Sequence, residues 1–134
     1  MLQLGLAHQT GAVTVKEMAA QECISARYLE KLIAALKGAG LVLSARGPHG
    51  GYVLARTPSE IKLSEIVEAL QGPLSLVECV DHPEVCPRRE ICVTHDVWKE
   101  MRDAMVGVLN SQTLQDLIER RRKKEESKGV TKAV

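Results

Sequence analysis

The stretch that decides the fold runs from Ser25 to Tyr52 and is SARYLEKLIAALKGAGLVLSARGPHGGY. Ser25 is a residue type that caps helices, and the residues after it place apolar side chains three and four positions apart. These positions, which form one face of a helix, are Leu29, Leu32, Ile33 and Leu36. Glycines at 38 and 40 end the helix, and short apolar runs follow at 41–45 and 52–55. The turn-forming residues 46–51 between those runs predict a β-hairpin with a glycine-rich tip.

A shorter helix precedes this stretch. Thr14 can cap it, and Val15, Met18 and Ala19 supply its apolar face before it ends near Gln21. Two short helices joined by residues 22–24 are typical of a helix-turn-helix. A hairpin directly after a helix-turn-helix is a wing, so we predict a mainly α fold with a small β-hairpin, a winged helix-turn-helix. Residues 1–8 are interpreted as the tail of a further helix that is truncated at its start.

Three more helices are predicted downstream of the hairpin. A short one spans Ser64 to Leu70, and a long one spans about His95 to Asn110, capped by Thr94. The long helix has an apolar stripe that needs a partner and suits dimerisation: Val97, Met101, Ala104, Met105 and Val108. A last helix opens at residue 113, where Thr and the Asp three residues on resemble a capping box. Residues 74–91 show no helical periodicity of apolar residues.

The charge changes sign along the chain, although the net charge is only +1. Residues 1–58 carry six Lys/Arg against three Asp/Glu, and residues 59–119 carry five against twelve. Residues 120–134 carry seven against two. We therefore divide the chain into a basic DNA-binding domain (1–58), an acidic region with the cysteine loop and dimerisation helices (59–119), and a basic tail (120–134) predicted to be disordered.

The same composition excludes several functional classes. No run of 18 apolar residues and no secretory leader is present, which predicts a cytoplasmic protein with no membrane partner. We find no Ser-His-Asp set, phosphate-binding glycine loop or pair of catalytic carboxylates, so we expect no enzymatic activity.

Three of the four cysteines fall in or beside the irregular segment, in the pattern Cys79-x6-Cys86-x5-Cys92-x2-His95. Three thiolates in one loop, with an imidazole at the start of the long helix, can wrap a small inorganic centre. Structural zinc usually takes cysteine pairs two to four residues apart, whereas gaps of six and five residues suit a [2Fe-2S] cluster better. Zinc and a [4Fe-4S] cluster remain alternatives, and His82 is a weaker rival to His95 as fourth ligand. The lone Cys23 is expected to pack in the core.

Four motifs together resemble the Rrf2 family of winged-helix transcription regulators. They are Ile24-Ser25-x-x-Tyr28-Leu29-Glu30-x-Leu32, Gly40-Leu41-Val42, Arg46-Gly47-Pro48-x-Gly50-Gly51-Tyr52 and Cys92-x-Thr94-His95-x-x-Trp98. The resemblance covers nearly the whole chain. The wing motif is characteristic of the family, and the three cysteines with one histidine are characteristic of its branch of iron-sulfur cluster regulators.

The resemblance implies a homodimer in which the long helix crosses its partner, with a [2Fe-2S] cluster near the dimer interface. It also implies that an imperfect palindrome of double-stranded DNA is bound by the second helix of the helix-turn-helix and the wing. The corresponding residues here, to which we add the wing's His49, are Ser25, Arg27, Glu30, Lys31 and Arg46. Cluster-assembly proteins are candidate further partners. A nitric-oxide-sensing branch takes an acidic fourth ligand from a segment that precedes the first residue here, and a zinc-structured or thiol-reactive loop is the other alternative.

Overall fold

The computed structural model describes residues 1–129. Within them the chain forms seven α-helices, one antiparallel hairpin and three short 3-10 turns, the first of which is Pro58–Glu60. The elements are α1 Leu2–Leu6, α2 Val15–Glu22, α3 Ala26–Gly38, β1 Val42–Ala45, β2 Gly51–Leu54, α4 Leu63–Gln71, α5 Glu78–Asp81, α6 Val93–Asn110 and α7 Leu114–Ser127. The predicted winged helix-turn-helix is confirmed. No helix of this part of the chain is both long enough and apolar enough to cross a membrane.

The two helices of the helix-turn-helix are set by their caps. The Thr14 side chain accepts from the backbone N–H of Glu17, while the Glu17 carboxylate accepts from the Thr14 N–H at 2.8 Å. That backbone bond, with the Thr14 hydroxyl, lowers the pKa of Glu17. Helix α2 ends at Glu22, and its C-cap, Cys23, has a left-handed backbone (φ 54°). Helix α3 begins just after Ser25, whose hydroxyl accepts from the Tyr28 N–H at 3.2 Å.

A further backbone segment pairs with the hairpin, and the sequence did not predict this pairing. Strands β1 and β2 pair from Val42 opposite Leu54 to Ala45 opposite Gly51. On the other side of β2, Val13 and Tyr52 exchange two backbone hydrogen bonds, at 3.0 and 2.9 Å. A Cβ at Gly51 would lie 2.6 Å from the Val13 carbonyl oxygen, so only glycine lets the two backbones approach this closely. The wing is thereby tied to the segment that leads into α2.

One hydrophobic core joins the first and last helices of the chain. Its buried residues are Leu4, Met18, Ile33, Leu36, Leu41, Val42, Leu54, Ile61, Leu114 and Ile118. The last two belong to α7, which packs on α1, and Leu114 and Ile118 are 1% and 2% exposed. The core therefore continues across the 58/59 boundary that we drew from the charge pattern.

The predicted disorder of the basic tail is wrong for residues 120–127, which are helical, whereas residues 130–134 lie outside the described residues. Helix α7 persists because Ile118 is anchored in the core and because side chains four apart support it, such as Arg121 with Glu125 at 2.9 Å.

The start of the long helix also differs from the prediction. Helix α6 begins at Val93 rather than near His95, and Cys92, not Thr94, occupies the capping position. The reason is that a 3-10 turn, Arg89–Ile91, leads directly into the helix, and the His95 N–H already bonds to the Cys92 carbonyl at 3.2 Å. The segment before it is likewise more ordered than expected, because α5 and a second 3-10 turn, Pro83–Val85, lie within it.

Candidate functional site

Helix α3 presents a polar face to solvent next to the wing. Ile33 and Leu36 are buried on one side of the helix, so the residues on the other side project outward. We define the reading face by four exposed residues of α3 and its cap: Ser25, Arg27, Glu30 and Lys31. Among the described residues, none of the three charged ones forms an ion pair within the chain.

The wing tip is exposed and held in place from α3. Arg46 and His49 are both exposed, on either side of Gly47, whose φ of 128° suits only glycine. Near the end of α3, the Lys37 ammonium donates to the Ser44 hydroxyl at 2.6 Å and lies 5.8 Å from the centre of the Tyr52 ring. Lys37 therefore fixes the wing against the helix. The sequence gives no local signal for this residue, because its partners lie on both hairpin strands.

The predicted ligands lie in separate turns of the cysteine loop, which we define as residues 74–92, and of the helix that follows it. Cys79 lies on α5, Cys86 lies between the two 3-10 turns, and Cys92 immediately precedes α6. All three are half-buried free thiols. His95 lies in the first turn of α6, where its side chain is 12% exposed and Nδ1 is 3.5 Å from Asp96 Oδ1.

The structure does not bring these four side chains together. Within residues 1–129, no group of three or more His, Cys, Asp or Glu side chains is close enough to hold a metal ion. The chemistry of the donor set nevertheless fits a soft metal or a cluster, because three free thiols and an imidazole lie within seventeen residues of chain. Ligation by all four would require the separate turns of the loop to move toward one another.

Cys92 is the thiol best prepared to act as a thiolate. Its Sγ lies 3.1 Å from the Thr94 hydroxyl, and the backbone N–H of His95, which bonds to the Cys92 carbonyl, lies nearby. These contacts, the hydroxyl first, lower the pKa of the Cys92 thiol, and Arg88 adds a smaller effect of the same sign. A thiolate at this position could ligate a metal or react with an electrophile.

The cysteine loop is attached to α6 at a second point that the sequence did not reveal. Asp81, two residues after Cys79, lies 4.0 Å from Arg102 in the middle of α6 and also accepts a hydrogen bond from Ser75. The loop thus contacts the long helix through its end and through α5.

The prediction that Cys23 packs in the core is wrong. Its left-handed backbone turns the chain between α2 and α3 at the surface, and its thiol is exposed. Cys23 therefore lies at the surface between α2 and α3, outside the cysteine loop.

Comparison with known proteins agrees with this architecture. The Rrf2 family, described as "Iron-dependent Transcriptional regulator", matches residues 1–120. The protein rrf2 of Nitratidesulfovibrio vulgaris is 38% identical over 118 residues, which are 88% of this chain and 79% of that protein. The solved structure of CymR, the global cysteine regulator of B. subtilis, matches with a TM-score of 0.73 and 37% identity, over 89% of this chain and 87% of that one. T. potens IscR matches with a TM-score of 0.75 and 35% identity, over 92% and 81%. The chain therefore belongs to the Rrf2 family of winged-helix transcriptional regulators.

Proposed function

We propose that this chain is a dimeric regulator that binds an imperfect palindrome, with a [2Fe-2S] cluster on Cys79, Cys86, Cys92 and His95 setting its affinity for DNA. The observation that carries the proposal is the exposed reading face beside the wing, in a chain whose cysteine loop runs directly into the long helix.

The reading face and the wing tip supply complementary DNA contacts. Arg27 and Lys31 suit phosphate oxygens, whereas Glu30 can accept a hydrogen bond from a cytosine amino group in the major groove. Ser25 keeps a hydroxyl hydrogen to donate while its oxygen caps α3. In the wing, Arg46 suits the minor groove, and His49 lies close enough in sequence to contact the adjacent backbone.

Helix α6 supplies the dimer contact. None of its eighteen residues is buried, and its apolar stripe leaves Val97 53%, Met101 46% and Val108 57% exposed. A stripe of this kind on a long helix is covered when a second copy packs against it. A two-fold dimer places two copies of α3 on successive half-sites, so the operator is expected to be an imperfect palindrome.

Ligand binding in the cysteine loop can reach the reading face through packed helices. Helix α5 packs on α6, α6 packs on α4, and α4 packs on α3. The Ser64 hydroxyl of α4 donates to the Asn110 side chain of α6 at 2.5 Å, which makes that contact specific. When bound, a [2Fe-2S] cluster supplies a centre that gains or loses one electron. Cys79, Cys86 and Cys92 would draw the loop together, and His95 would tie it to the first turn of α6.

The test is metal analysis of anaerobically purified protein. We expect a coloured protein with iron and sulfide in the ratio of a [2Fe-2S] cluster, while Cys92→Ala loses both. Cys23→Ala is the matched control, because Cys23 lies outside the loop, and it should keep the full content. A colourless protein with one zinc per chain, or a Cys92→Ala variant with unchanged iron, would contradict the cluster proposal. A higher iron content would indicate a [4Fe-4S] cluster, and iron retained in His95→Ala would indicate a different fourth ligand, as in a nitric-oxide-sensing relative.

A second candidate function is regulation through a zinc-structured or thiol-reactive loop. The lowered pKa of Cys92 and the half-buried state of all three loop thiols favour it, and one similar structure is that of a global cysteine regulator. This candidate predicts that a variant with all three loop cysteines changed to Ala loses zinc or thiol reactivity, with no iron present in either protein.

A further inference from the structure

We propose that the end of α7 binds the phosphate backbone of duplex DNA beside the site contacted by α3, through Lys124 and Lys128. The inference rests on the proposed DNA-binding function and extends its footprint beyond the reading face and the wing. It assigns a role to the basic run that the sequence analysis left as a tail.

The basic turn, which we define as residues 120–128, carries a large excess of positive charge on a rigid support. It contains six Lys or Arg and two Glu. Of the basic residues only Arg121 is half-buried, and only Arg121 forms ion pairs among the described residues. Because Ile118 is buried in the core, the turn projects from a fixed base.

An ion pair places this turn beside the helix-turn-helix. Arg121 lies 3.9 Å from the Glu22 carboxylate, which also accepts from the Gln3 amide at 2.6 Å. Glu22 is the last residue of α2 and stands three positions before Ser25, the cap of α3. Three residues of chain span at most about 11 Å, so the basic turn starts close to the N-terminus of the reading helix.

Helical spacing decides which basic residues lie on the same side of α7 as Arg121. Lys124 follows Arg121 by three residues, and Lys128, the C-cap of α7, follows it by seven, so the three lie toward one side of the helix end. Glu125 lies on the same side, but its carboxylate is paired with Arg121 at 2.9 Å. Arg122 and Lys123 lie on the opposite side of the helix. Lys124 and Lys128 are both exposed and extend past the end of the core.

Duplex phosphates are the partner that suits this arrangement. Lysine ammonium groups on flexible stems act as point charges toward phosphate and give contacts that do not depend on base sequence. Each such contact releases counterions and steepens the fall of affinity with salt by about 0.9 in log-log slope. A helix end whose charges only complement its own C-terminal dipole would affect helix stability instead, and would leave the salt dependence unchanged.

The test compares Lys124→Gln/Lys128→Gln with the matched control Arg122→Gln/Lys123→Gln, which removes the same charge from the other side of α7. Affinity for a fluorescent 30-base-pair duplex of random sequence is measured by anisotropy between about 50 and about 200 mM salt. We expect the first variant to lower the salt slope by about 2 for each protomer, and therefore by about 4 for the dimer, so that the affinity advantage of the unmodified dimer shrinks roughly a hundredfold over this range. The control should change the slope by less than half as much. Circular dichroism checks that α7 stays helical in both.

Equal slopes for the two variants would overturn the proposal, as would an unchanged slope in Lys124→Gln/Lys128→Gln. Failure of the proposed function is seen separately. For this test, an operator is first selected from a randomised library with the unmodified protein. The proposed function fails if the variant Arg27→Ala/Lys31→Ala binds that operator as tightly as the unmodified protein does. If the reading-face variant loses binding and the α7 variant does not, the proposed function stands and this inference is rejected.

Discussion

The contact between α1 and α7 can be tested by a pair of substitutions at Gly5 and Ile118. Gly5 is buried in α1, and a Cβ there would lie 2.7 Å from Cδ1 of Ile118. The next nearest atoms, Cγ1 of Ile118 and Cδ2 of Leu114, would be at 3.4 Å, an ordinary contact distance. Gly5→Ala alone therefore forces Ile118 to move, whereas Ile118→Val removes the one atom that clashes.

The magnitudes follow from these distances. Alanine in place of a helical glycine gains about 0.5–1 kcal/mol, and overpacking a well-packed site costs about 1–3 kcal/mol. We therefore expect Gly5→Ala to lower the free energy of unfolding by about 1 kcal/mol. Ile118→Val should lower it by about 0.5–1.5 kcal/mol. In the double variant the clash is gone while the helical gain remains, so its loss should be smaller than the sum by about 1–2 kcal/mol.

The assay is urea unfolding of the four proteins, monitored by circular dichroism at one protein concentration, because the stability of the proposed dimer would depend on concentration. Gly38→Ala is a useful control, since nothing lies within 4 Å of a Cβ at that position. A loss in the double variant that equals the sum of the two single losses within about 0.5 kcal/mol would refute the close packing of α7 on α1.

Three further outcomes follow from other contacts. Gly51→Ala should break the pairing with Val13 and, with two backbone hydrogen bonds lost, lower the free energy of unfolding by about 1–3 kcal/mol in the same urea assay. The Glu17 carboxylate has a lowered pKa in the folded protein, so its contribution is present above the ordinary glutamate pKa and is lost as pH falls through the folded value. Thermal unfolding of Glu17→Gln should therefore depend less on pH in the acid range than that of the unmodified protein. Ser64→Ala leaves the Asn110 side chain without its α4 partner, and we expect a loss of about 1 kcal/mol by chemical denaturation.

The parts of the fold that were predictable are those fixed by neighbours in sequence. Thr14 and Ser25 are caps whose partners lie three residues on, and the spacing of Leu29 to Leu36 fixes the buried side of α3. The hairpin follows from two apolar runs and a glycine-rich tip. Each of these signals depends only on local geometry, so the sequence contains it in full.

The parts that were missed depend on contacts far away in sequence. The end of α7 looks disordered by composition, yet Ile118 seats the helix in a core that starts at Leu4. The pairing of Val13 with β2 has no local pattern, although the glycine at position 51 is a signal of close backbone approach. The exposure of Cys23 is an exception, because it follows from a local left-handed turn that composition alone does not indicate.

The candidate sites show the same division. The exposed positions of α3 follow from periodicity and those of the wing from its turn residues, so their exposure could be predicted residue by residue, while their contacts with DNA stay a prediction. Cys79, Cys86 and Cys92 could be named as a donor set from spacing and residue type. Whether they converge depends on how an aperiodic loop folds around its contacts with α6, such as Asp81 with Arg102, and no sequence spacing encodes that.

The packing of α7 on α1 also affects how the chain folds during synthesis. Leu4 emerges from the ribosome well before Leu114 and Ile118, which cover the same core. A nascent chain that already contains the whole helix-turn-helix and wing still lacks one wall of the core beneath them. Because contacts so distant in sequence form slowly, we expect the DNA-binding unit to be completed only after α7 has been made. A prematurely terminated product would then lack a stable reading helix and would not compete for operators.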